Sequence, residues 1–292
     1  PDGFRPLCIG KTTDGAYLVA SESCALETVG AEFLRDVRPG EIVVIGKDGL
    51  RSITTHCRKS SNICIFEYIY FARPDSVIEG ISVHHARVMA GRILAKYSPV
   101  EADIVVGVPD SGLDAALGYA EQSGIPYGIG FIKNKYIGRS FIQPSQNQRE
   151  SAVKIKLNAV RESVRGKRVI MIDDSIVRGT TSARIVHLLR EAGASEVHVR
   201  ISSPVFRHTC HFGTDSDSEE NLIANHCETT EDIAKYIGAD SLAYLPTEAL
   251  SELIGGKQEF CRGCFTGDYP LDVSGAVSKN KFDEKIHKVT EE

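Results

Sequence analysis

One thirteen-residue run, 169–181, constrains the fold of this chain more than any other stretch. It begins with four apolar residues, Val169 to Ile172, which predict a fully buried strand. Two adjacent carboxylates, Asp173 and Asp174, end the strand, and a glycine with two threonines then leads into a helical pattern over 182–191. Buried strands followed by helices are typical of parallel α/β sheets, in which ligands bind where a strand's carboxyl end meets the next helix.

The residues that follow this strand suit a phosphorylated sugar. Gly179, Thr180 and Thr181 offer backbone N–H groups and hydroxyls at a helix N-terminus, which is a natural phosphate cradle. The two carboxylates would repel a bare anion, so they indicate a ligand that also carries sugar hydroxyls, a divalent cation or both. A sugar phosphate with a further phosphate group meets all these requirements. The simpler alternative is an ordinary turn with a solvated acidic pair.

The full run closely resembles the phosphoribosyl-pyrophosphate loop of the type I phosphoribosyltransferases. This resemblance implies that Asp173 and Asp174 face the ribose hydroxyls and a Mg²⁺ ion. It also implies a set of substrate-binding residues in the loop, with the 5-phosphate held by residues 178–181. The members of that set are Ser175, Arg178, Gly179, Thr180 and Thr181.

A second junction of strand, loop and helix lies upstream. Residues 104–108 predict a buried strand, and the small residues of the turn 109–112 allow backbone N–H groups to approach an anion. A plain turn is the alternative interpretation. The turn resembles the pyrophosphate-side loop of the same family, which implies that Ser111 is a Mg²⁺ ligand and that Asp110 binds substrate beside it.

The polar segment 133–144 contains three basic residues, two aromatic residues and a glycine. A loop of this length in a compact domain is usually functional. It predicts a lid that brings positive charge onto a pyrophosphate and excludes water, with an ordinary solvated loop as the alternative. The segment resembles the flexible active-site loop of the glutamine phosphoribosylpyrophosphate amidotransferases. This implies catalytic roles for Lys133, Lys135 and Arg139.

The eight cysteines are too few for a disulfide scaffold, and no secretion signal is visible, which favours a reducing, cytoplasmic location. One C-x-x-C pair with distant cysteines is a weak metal signal, so core thiols and a zinc site are both alternatives. The surrounding strings resemble the four ligand contexts in the bacterial iron–sulfur branch of the amidotransferases. This implies a structural [4Fe–4S] cluster on Cys64, Cys210, Cys261 and Cys264.

The pattern of predicted elements changes near residue 58. Residues 1–57 read as β-rich, and residues 58–292 alternate between strands and helices, as a parallel α/β domain does. The predicted strands are 17–20, 41–45, 104–108, 127–132, 169–172 and 196–201, with a hairpin turn at 47–49. The predicted helices are 111–122, 153–164, 182–191 and 229–238, with a long loop at 133–148, an exposed acidic segment at 214–220 and a frayed tail after 274.

The resemblance covers residues 1 to about 273. It implies a type I phosphoribosyltransferase fold preceded by the β-rich end of an N-terminal-nucleophile glutaminase domain, in which Arg5 grips the glutamine carboxylate. The family's glutaminase nucleophile is an N-terminal cysteine, whereas this chain starts with Pro1. We therefore expect another chain to supply that half, or glutamine hydrolysis to be absent from this chain alone.

The family's reaction is the transfer of ammonia, taken from glutamine, to phosphoribosyl pyrophosphate, which gives 5-phosphoribosylamine at the first step of de novo purine biosynthesis. The resemblance also implies feedback purine nucleotides and a homo-oligomer, either a dimer or a tetramer. A net charge of −5 and the lack of a membrane-length apolar run argue against nucleic-acid and membrane partners. The rivals are a non-enzymatic phosphoribosyl-binding regulator, which needs no basic lid, and a redox iron–sulfur protein, which needs an electron partner.

Overall fold

The computed structural model describes residues 2–57, 60–134, 157–214, 216 and 218–275. The strands are β1 Cys8–Lys11, β2 Tyr17–Ala20, β3 Glu32–Asp36, β4 Ile42–Gly46, β5 Gly49–Ile53, β6 Val77–Ile78, β7 Ile81–Ser82, β8 Ile104–Gly107, β9 Phe131–Lys133, β10 Leu157–Ala159, β11 Arg168–Asp173, β12 Glu196–Ile201 and β13 Ser241–Tyr244. The α-helices are α1 Ser23–Thr28, α2 Val83–Tyr97, α3 Gly112–Ser123, α4 Arg161–Val164, α5 Thr180–Glu191, α6 Thr230–Ile237, α7 Leu250–Leu253 and α8 Gly263–Thr266, and a π-helix spans Glu67–Phe71.

A parallel sheet in the order β13-β12-β11-β8 organises the larger part of the chain. Residues 169–173 of strand β11 are buried, as the apolar run predicts, because helices cover both faces of the sheet. Ile170 and Ile172 point into the core that includes α2 and α3, whereas Val169 and Met171 point into the core that includes α5 and α6. This alternation divides the interior into two apolar layers.

Glycines allow α2 and α3 to pack closely against one face of the sheet. A Cβ atom at Gly91 would lie 1.8 Å from the carbonyl oxygen of Ala115, and one at Gly118 would lie 1.9 Å from that of Val88. No side chain fits in either space. The two backbones therefore approach each other directly, and α3 is held where it begins beside the end of β11.

The first part of the chain is β-rich, as predicted. Strand β1 lies between β2 and β3 in an antiparallel sheet, and β4 and β5 form the hairpin expected around 47–49. One of the contacts between this part and the remainder of the chain involves Glu22, whose carboxylate accepts hydrogen bonds at 2.7 Å from the backbone N–H of Arg73 and from Ser76 Oγ. The domain boundary placed at 57/58 remains a prediction.

Two predicted elements are wrong. The strand predicted at 127–132 is limited to β9, because Gly128 and Gly130 pack against the side chains of Ile104 and Val106 and leave only an isolated bridge from Tyr127 to Val105. Within the described residues 157–164, the helix predicted at 153–164 is limited to α4, because residues 157–159 pair with β9 instead. Residues 135–156 lie outside the described residues.

Several predicted elements are confirmed, with small shifts at their ends. Helices α3, α5 and α6 match the predicted helices, and α5 starts two residues earlier than expected. Thr229 Oγ1 accepts the backbone N–H of Asp232 at 3.1 Å and so caps α6. The sequence did not reveal β3, β13, α2 or the π-helix.

Candidate active site and cysteine cavity

Two loops meet at the carboxyl edge of the parallel sheet. Val108, just after β8, donates its backbone N–H to the carbonyl oxygen of Ile172 at 2.9 Å. A Cβ atom at Gly112 would lie 2.4 Å from that same oxygen, so a glycine is needed for α3 to begin this close to β11. The turn 109–111 and the carboxylates that end β11 therefore share one edge, where α/β sheets bind their ligands.

The predicted acidic pair is buried at this edge. Asp173 and Asp174 expose only 7% and 8% of their surface. Asp174 accepts hydrogen bonds from the hydroxyls of Ser111 and Ser175, and its backbone N–H donates to Asp173 Oδ1 at 2.9 Å. Four residues predicted from separate motifs thus form one cluster of oxygen atoms.

The electrostatics of this cluster favour a cationic or hydroxyl-bearing ligand. Burial raises the pKa of Asp173 well above its usual value, and the adjacent charge of Asp174 raises it further. Burial also raises the pKa of Asp174, although the hydroxyls of Ser111 and Ser175 and the charge of Arg87 oppose that rise. Buried carboxylates are costly unless a cation or hydrogen-bond donors compensate them. Their oxygen atoms are also the type that Mg²⁺ prefers.

The phosphate cradle begins α5. Gly179 has φ +78° and directly precedes the first turn of the helix, and a Cβ atom there would lie 2.4 Å from Ile223 Cδ1. Thr180, Thr181 and Arg178 are exposed, so their polar groups can reach a ligand. A backbone hydrogen bond holds the loop before α5 in place, because the N–H of Ile223 donates to the carbonyl oxygen of Val177 at 2.9 Å.

The basic residues predicted to form a lid are described only in part. Lys133 ends β9 and its ammonium group forms an ion pair with the carboxylate of Asp110, which follows a cis peptide bond after Pro109. The structure thus brings together two predicted site residues from different motifs. Lys135 and Arg139 lie outside the described residues.

The four cysteines predicted as cluster ligands line one small cavity. The remainder of its wall is mostly aromatic, and the lining residues are Cys64, Phe66, Phe206, Cys210, Phe212, Thr214, Cys261, Cys264 and Tyr269. Cys64 and Cys261 lie on backbone segments that hydrogen-bond to each other, through Ile65 N–H to Cys261 O at 3.1 Å and Cys261 N–H to Ile63 O at 2.9 Å. Residues distant in the sequence therefore meet at this cavity.

The thiols in this cavity influence one another. Burial raises the pKa of Cys264 well above its usual value, and the charges that Cys64, Cys210 and Cys261 would carry raise it further. Burial likewise raises the pKa of Cys64 to about 12. Hydrogen bonds from the backbone at 66 and 263 oppose this effect and lower the pKa of Cys64 and Cys261. The backbone N–H of Phe212 donates to Cys210 Sγ at 3.4 Å.

The cavity between these thiols has about 20 Å³ of free space. In the described part of the chain, no group of three or more His, Cys, Asp or Glu side chains is arranged to hold a metal ion. A cubane places iron and sulfide between its ligand sulfurs, so its thiols stand further apart than those around a single ion. The four thiols fit a metal centre by their chemistry, and the ligands of a cluster do not need the close spacing that a single ion requires.

Arg5 binds groups at the rim of this cavity. Its Nη1 donates to Glu67 Oε1 at 2.6 Å, its Nη2 donates to Thr214 Oγ1 at 2.7 Å, and its guanidinium lies 4.9 Å from the centre of the Phe71 ring. Both terminal nitrogens therefore have protein partners. A role for Arg5 in holding a glutamine carboxylate remains a prediction.

A more open cavity of about 510 Å³ lies beside β13. Its walls come from the loop after β12, the start of α6, the end of β13 and Phe265. It contains none of the residues that the sequence motifs single out. The chemistry-bearing residues of this chain are therefore concentrated at the carboxylate pair and in the cysteine cavity, rather than in the roomier space.

Comparison with known proteins identifies the family of this chain. The family model of the phosphoribosyl transferase domain matches residues 80–208, which include the acidic pair and the phosphate cradle. The amidophosphoribosyltransferases of Archaeoglobus fulgidus and Bacillus subtilis are 53% and 55% identical to this chain over 94% of its length. The chain belongs to the amidophosphoribosyltransferase family. It spans 60% and 58% of the length of these two relatives.

Solved structures of amidophosphoribosyltransferases share the fold. A structure described as the allosteric regulatory enzyme of purine biosynthesis has 52% identity and a TM-score of 0.87, over 98% of this chain and 62% of that one. The glutamine phosphoribosylpyrophosphate amidotransferase from B. subtilis, complexed with ADP and GMP, has 53% identity and a TM-score of 0.85, over 95% and 62%. The type I phosphoribosyltransferase fold is thereby confirmed.

Two charged residues of this chain were missed in the sequence. Arg87 is buried on α2 and donates to the carbonyl oxygens of Tyr68 at 2.9 Å and Ala72 at 2.6 Å, which fixes the end of the π-helix. Glu67 is buried at the start of that helix. Charged residues within apolar runs were the available signal, but only the fold shows what they contact. Among the described residues, no helix has the length and apolar character needed to cross a membrane.

Proposed function

We propose that the protein to which this chain belongs transfers ammonia to 5-phosphoribosyl 1-pyrophosphate, with glutamine as the ammonia source in the whole enzyme. The product is 5-phosphoribosylamine, and the reaction is the first step of de novo purine biosynthesis. The observation that carries this proposal is the buried Asp173–Asp174 pair, which hydrogen-bonds to Ser111, the residue after Asp110, and precedes the phosphate cradle in the same loop. The named activity of relatives more than 50% identical supports it.

Each part of the substrate has a matching group in this arrangement. The ribose hydroxyls would donate to the carboxylates of Asp173 and Asp174, and the 5-phosphate would accept N–H groups at the start of α5. Ser175, Arg178, Thr180 and Thr181 would contribute polar groups around that phosphate. The pyrophosphate would lie on the opposite side, near Ser111 and Asp110.

The oxygen groups of Ser111, Asp173 and Asp174 fit a Mg²⁺ ion, which would neutralise charge on the pyrophosphate when bound. In the transfer step, the bond from C1 of the ribose to the pyrophosphate oxygen breaks, and its electron pair leaves with pyrophosphate. The nitrogen of ammonia forms the new bond to C1 and releases its surplus proton to solvent. The protein supplies positioning and charge rather than a covalent nucleophile.

Lys133 is a candidate for stabilising the leaving group. Its ammonium group is bound to Asp110, whose side chain is 71% exposed, so an incoming pyrophosphate could share that cation. Lys135 and Arg139 would add positive charge from the same segment. Water exclusion by this segment would protect a ribosyl cation from hydrolysis.

For the cysteine cavity, we propose a structural [4Fe–4S] cluster held by Cys64, Cys210, Cys261 and Cys264. The support is a donor set of four thiols in one aromatic cavity, with backbone N–H groups directed at the sulfurs. When bound, the cluster would join distant segments of the chain as a folding element. Zinc is the competing occupant, because it also takes four thiolates and needs less space.

The remaining proposals concern the whole protein. Residues 1–57 would be the end of a glutaminase domain, purine nucleotides would act as feedback regulators, and the enzyme would be a cytoplasmic homo-oligomer. The B. subtilis relative, whose structure was solved with ADP and GMP, supports the proposal about nucleotides.

Pyrophosphate release from phosphoribosyl pyrophosphate, measured with and without ammonium chloride, tests the proposed reaction. We expect release that depends on both ammonia and Mg²⁺. Tight binding of phosphoribosyl pyrophosphate with no ammonia-dependent release would contradict the proposal and favour the non-enzymatic regulator. Metal analysis of anaerobically purified protein tests the cluster, for which we expect about four irons per chain. Stoichiometric zinc without iron would refute it.

A further inference from the structure

We infer that Arg5 is the cationic partner of the cysteine cavity, where its charge stabilises a bound cluster and joins the N-terminal segment to it. This inference rests on the iron–sulfur centre proposed above. It gives Arg5 a role toward the metal centre that differs from contact with glutamine. Glu67, its buried partner, would set how much of that positive charge the cluster experiences.

The first line of support is the hydrogen bonding of Arg5. Its two terminal nitrogens join residues that follow two of the four cysteines: Glu67 lies three residues after Cys64, and Thr214 lies four residues after Cys210. Thr214 itself lines the cavity. A single guanidinium therefore connects two of the segments that the cluster would hold together.

The backbone and the neighbouring side chain of Phe4 provide a second connection. The backbone N–H of Cys64 donates to the carbonyl oxygen of Phe4 at 3.0 Å. The ring of Phe4 stacks on that of Phe212, with centroids 4.2 Å apart, and the N–H of Phe212 donates to the sulfur of Cys210. The segment that carries Arg5 is thus fixed against the same two cysteine loops by contacts that do not involve its charge.

The charges of Arg5 and Glu67 decide whether each residue stabilises or destabilises the bound cluster. Four thiolates outweigh the positive charge of an oxidised cubane core, so the bound cluster is an anion, and reduction adds one more negative charge. Arg5 is the positive member of the pair and hydrogen-bonds to residues that follow Cys64 and Cys210, whereas Glu67 is the negative member. Burial keeps the pair effective, because Glu67 is 6% exposed.

The test uses substitutions that remove opposite charges from this one pair. Arg5→Met should lower the reduction potential of the cluster, and Glu67→Gln should raise it, because the first removes a positive charge and the second a negative one. Arg5→Lys should lie between Arg5→Met and wild type. The matched control is the pair of Arg92 and Glu121, which join α2 to α3 at 2.8 Å, so Arg92→Met and Glu121→Gln should leave the potential unchanged.

Potentials are measured on anaerobic protein by titration with photoreduced deazaflavin, followed by electron paramagnetic resonance. Iron release to a chelator is measured in parallel and should be faster for Arg5→Met than for Arg92→Met. Shifts of the same sign in Arg5→Met and Glu67→Gln, or no shifts, would overturn the inference. If no variant accepts an electron, equal iron release from Arg5→Met and Arg92→Met overturns it. Wild-type protein without iron would instead refute the proposed cluster itself.

Discussion

The hydroxyl of Ser111 donates a hydrogen bond to the carboxylate of Asp174, although 63 residues separate them in the chain. Ser111 follows β8 and Asp174 follows β11, and these strands are neighbours in the parallel sheet. The contact therefore depends on the sheet topology rather than on either loop alone. It joins the loop proposed to bind pyrophosphate to the loop proposed to bind ribose.

Ser111→Ala should reduce ammonia-dependent turnover by roughly tenfold or more, because a buried carboxylate that loses a hydroxyl donor is destabilised by about 1–3 kcal/mol. The Mg²⁺ concentration needed for half-maximal rate should rise as well. Steady-state pyrophosphate release at varied Mg²⁺ measures both effects. The control is Ser123→Ala, at the far end of α3, the helix that Ser111 directly precedes. Equal rates in the two variants would count against the proposed role of Ser111.

The sequence was sufficient to predict the central strand, its acidic end and the helix that follows. These features depend on a continuous apolar run and on local turn chemistry, both of which are visible in adjacent residues. Residues 157–159 were wrongly predicted as helix. Their pairing with β9 is a contact between residues distant in the sequence, which a local pattern does not show. The ion pair of Arg5 with Glu67 could not be predicted for the same reason, since no local pattern indicates which charged residues a fold brings together.

Gly91→Ala and Gly118→Ala should each destabilise the protein by more than about 1 kcal/mol, because the added methyl group would collide with backbone atoms of the facing helix. Helix α3 would move away from α2, and the start of α3 beside β11 would move with it. Gly46→Ala is the control, because nothing lies within 4 Å of its added Cβ atom. Urea unfolding measures the effect, and similar midpoints for all three variants would contradict it.

Glu41 should stabilise the β-rich segment at neutral pH but not in strong acid. Arg35 binds both oxygens of this carboxylate, at 2.9 and 2.7 Å, and lowers its pKa to about 2. Because the folded pKa is below the usual value near 4.5, the stabilisation is complete above that value and is lost as the pH falls through about 2.

The free energy of unfolding, measured for wild type and Glu41→Gln at a series of pH values, tests this dependence. The difference between the two proteins should be largest near pH 7 and should vanish at the acid end. Glu101→Gln is the control, because its side chain is 93% exposed. A difference for Glu41→Gln that is constant across the pH range would show that the ion pair does not account for it.

Cys264→Ser should remove bound metal and lower stability together, because a cluster that closes long loops acts as a folding element. Cys57→Ser changes a half-buried thiol outside the cavity and should keep its iron. Iron analysis and thermal unfolding of anaerobic samples compare the two variants. Full iron content in Cys264→Ser would exclude Cys264 as a ligand.

The most direct test of the central claim is ammonia-dependent turnover of phosphoribosyl pyrophosphate by Asp173→Asn and Asp174→Asn. If these carboxylates bind the ribose and Mg²⁺, each variant should lose about a hundredfold in rate while remaining folded. Asp75→Asn, which changes a carboxylate 52% exposed and paired with Arg73, should keep the wild-type rate. Near-normal turnover in both Asp173→Asn and Asp174→Asn would contradict the assignment of this edge of the sheet as the active site.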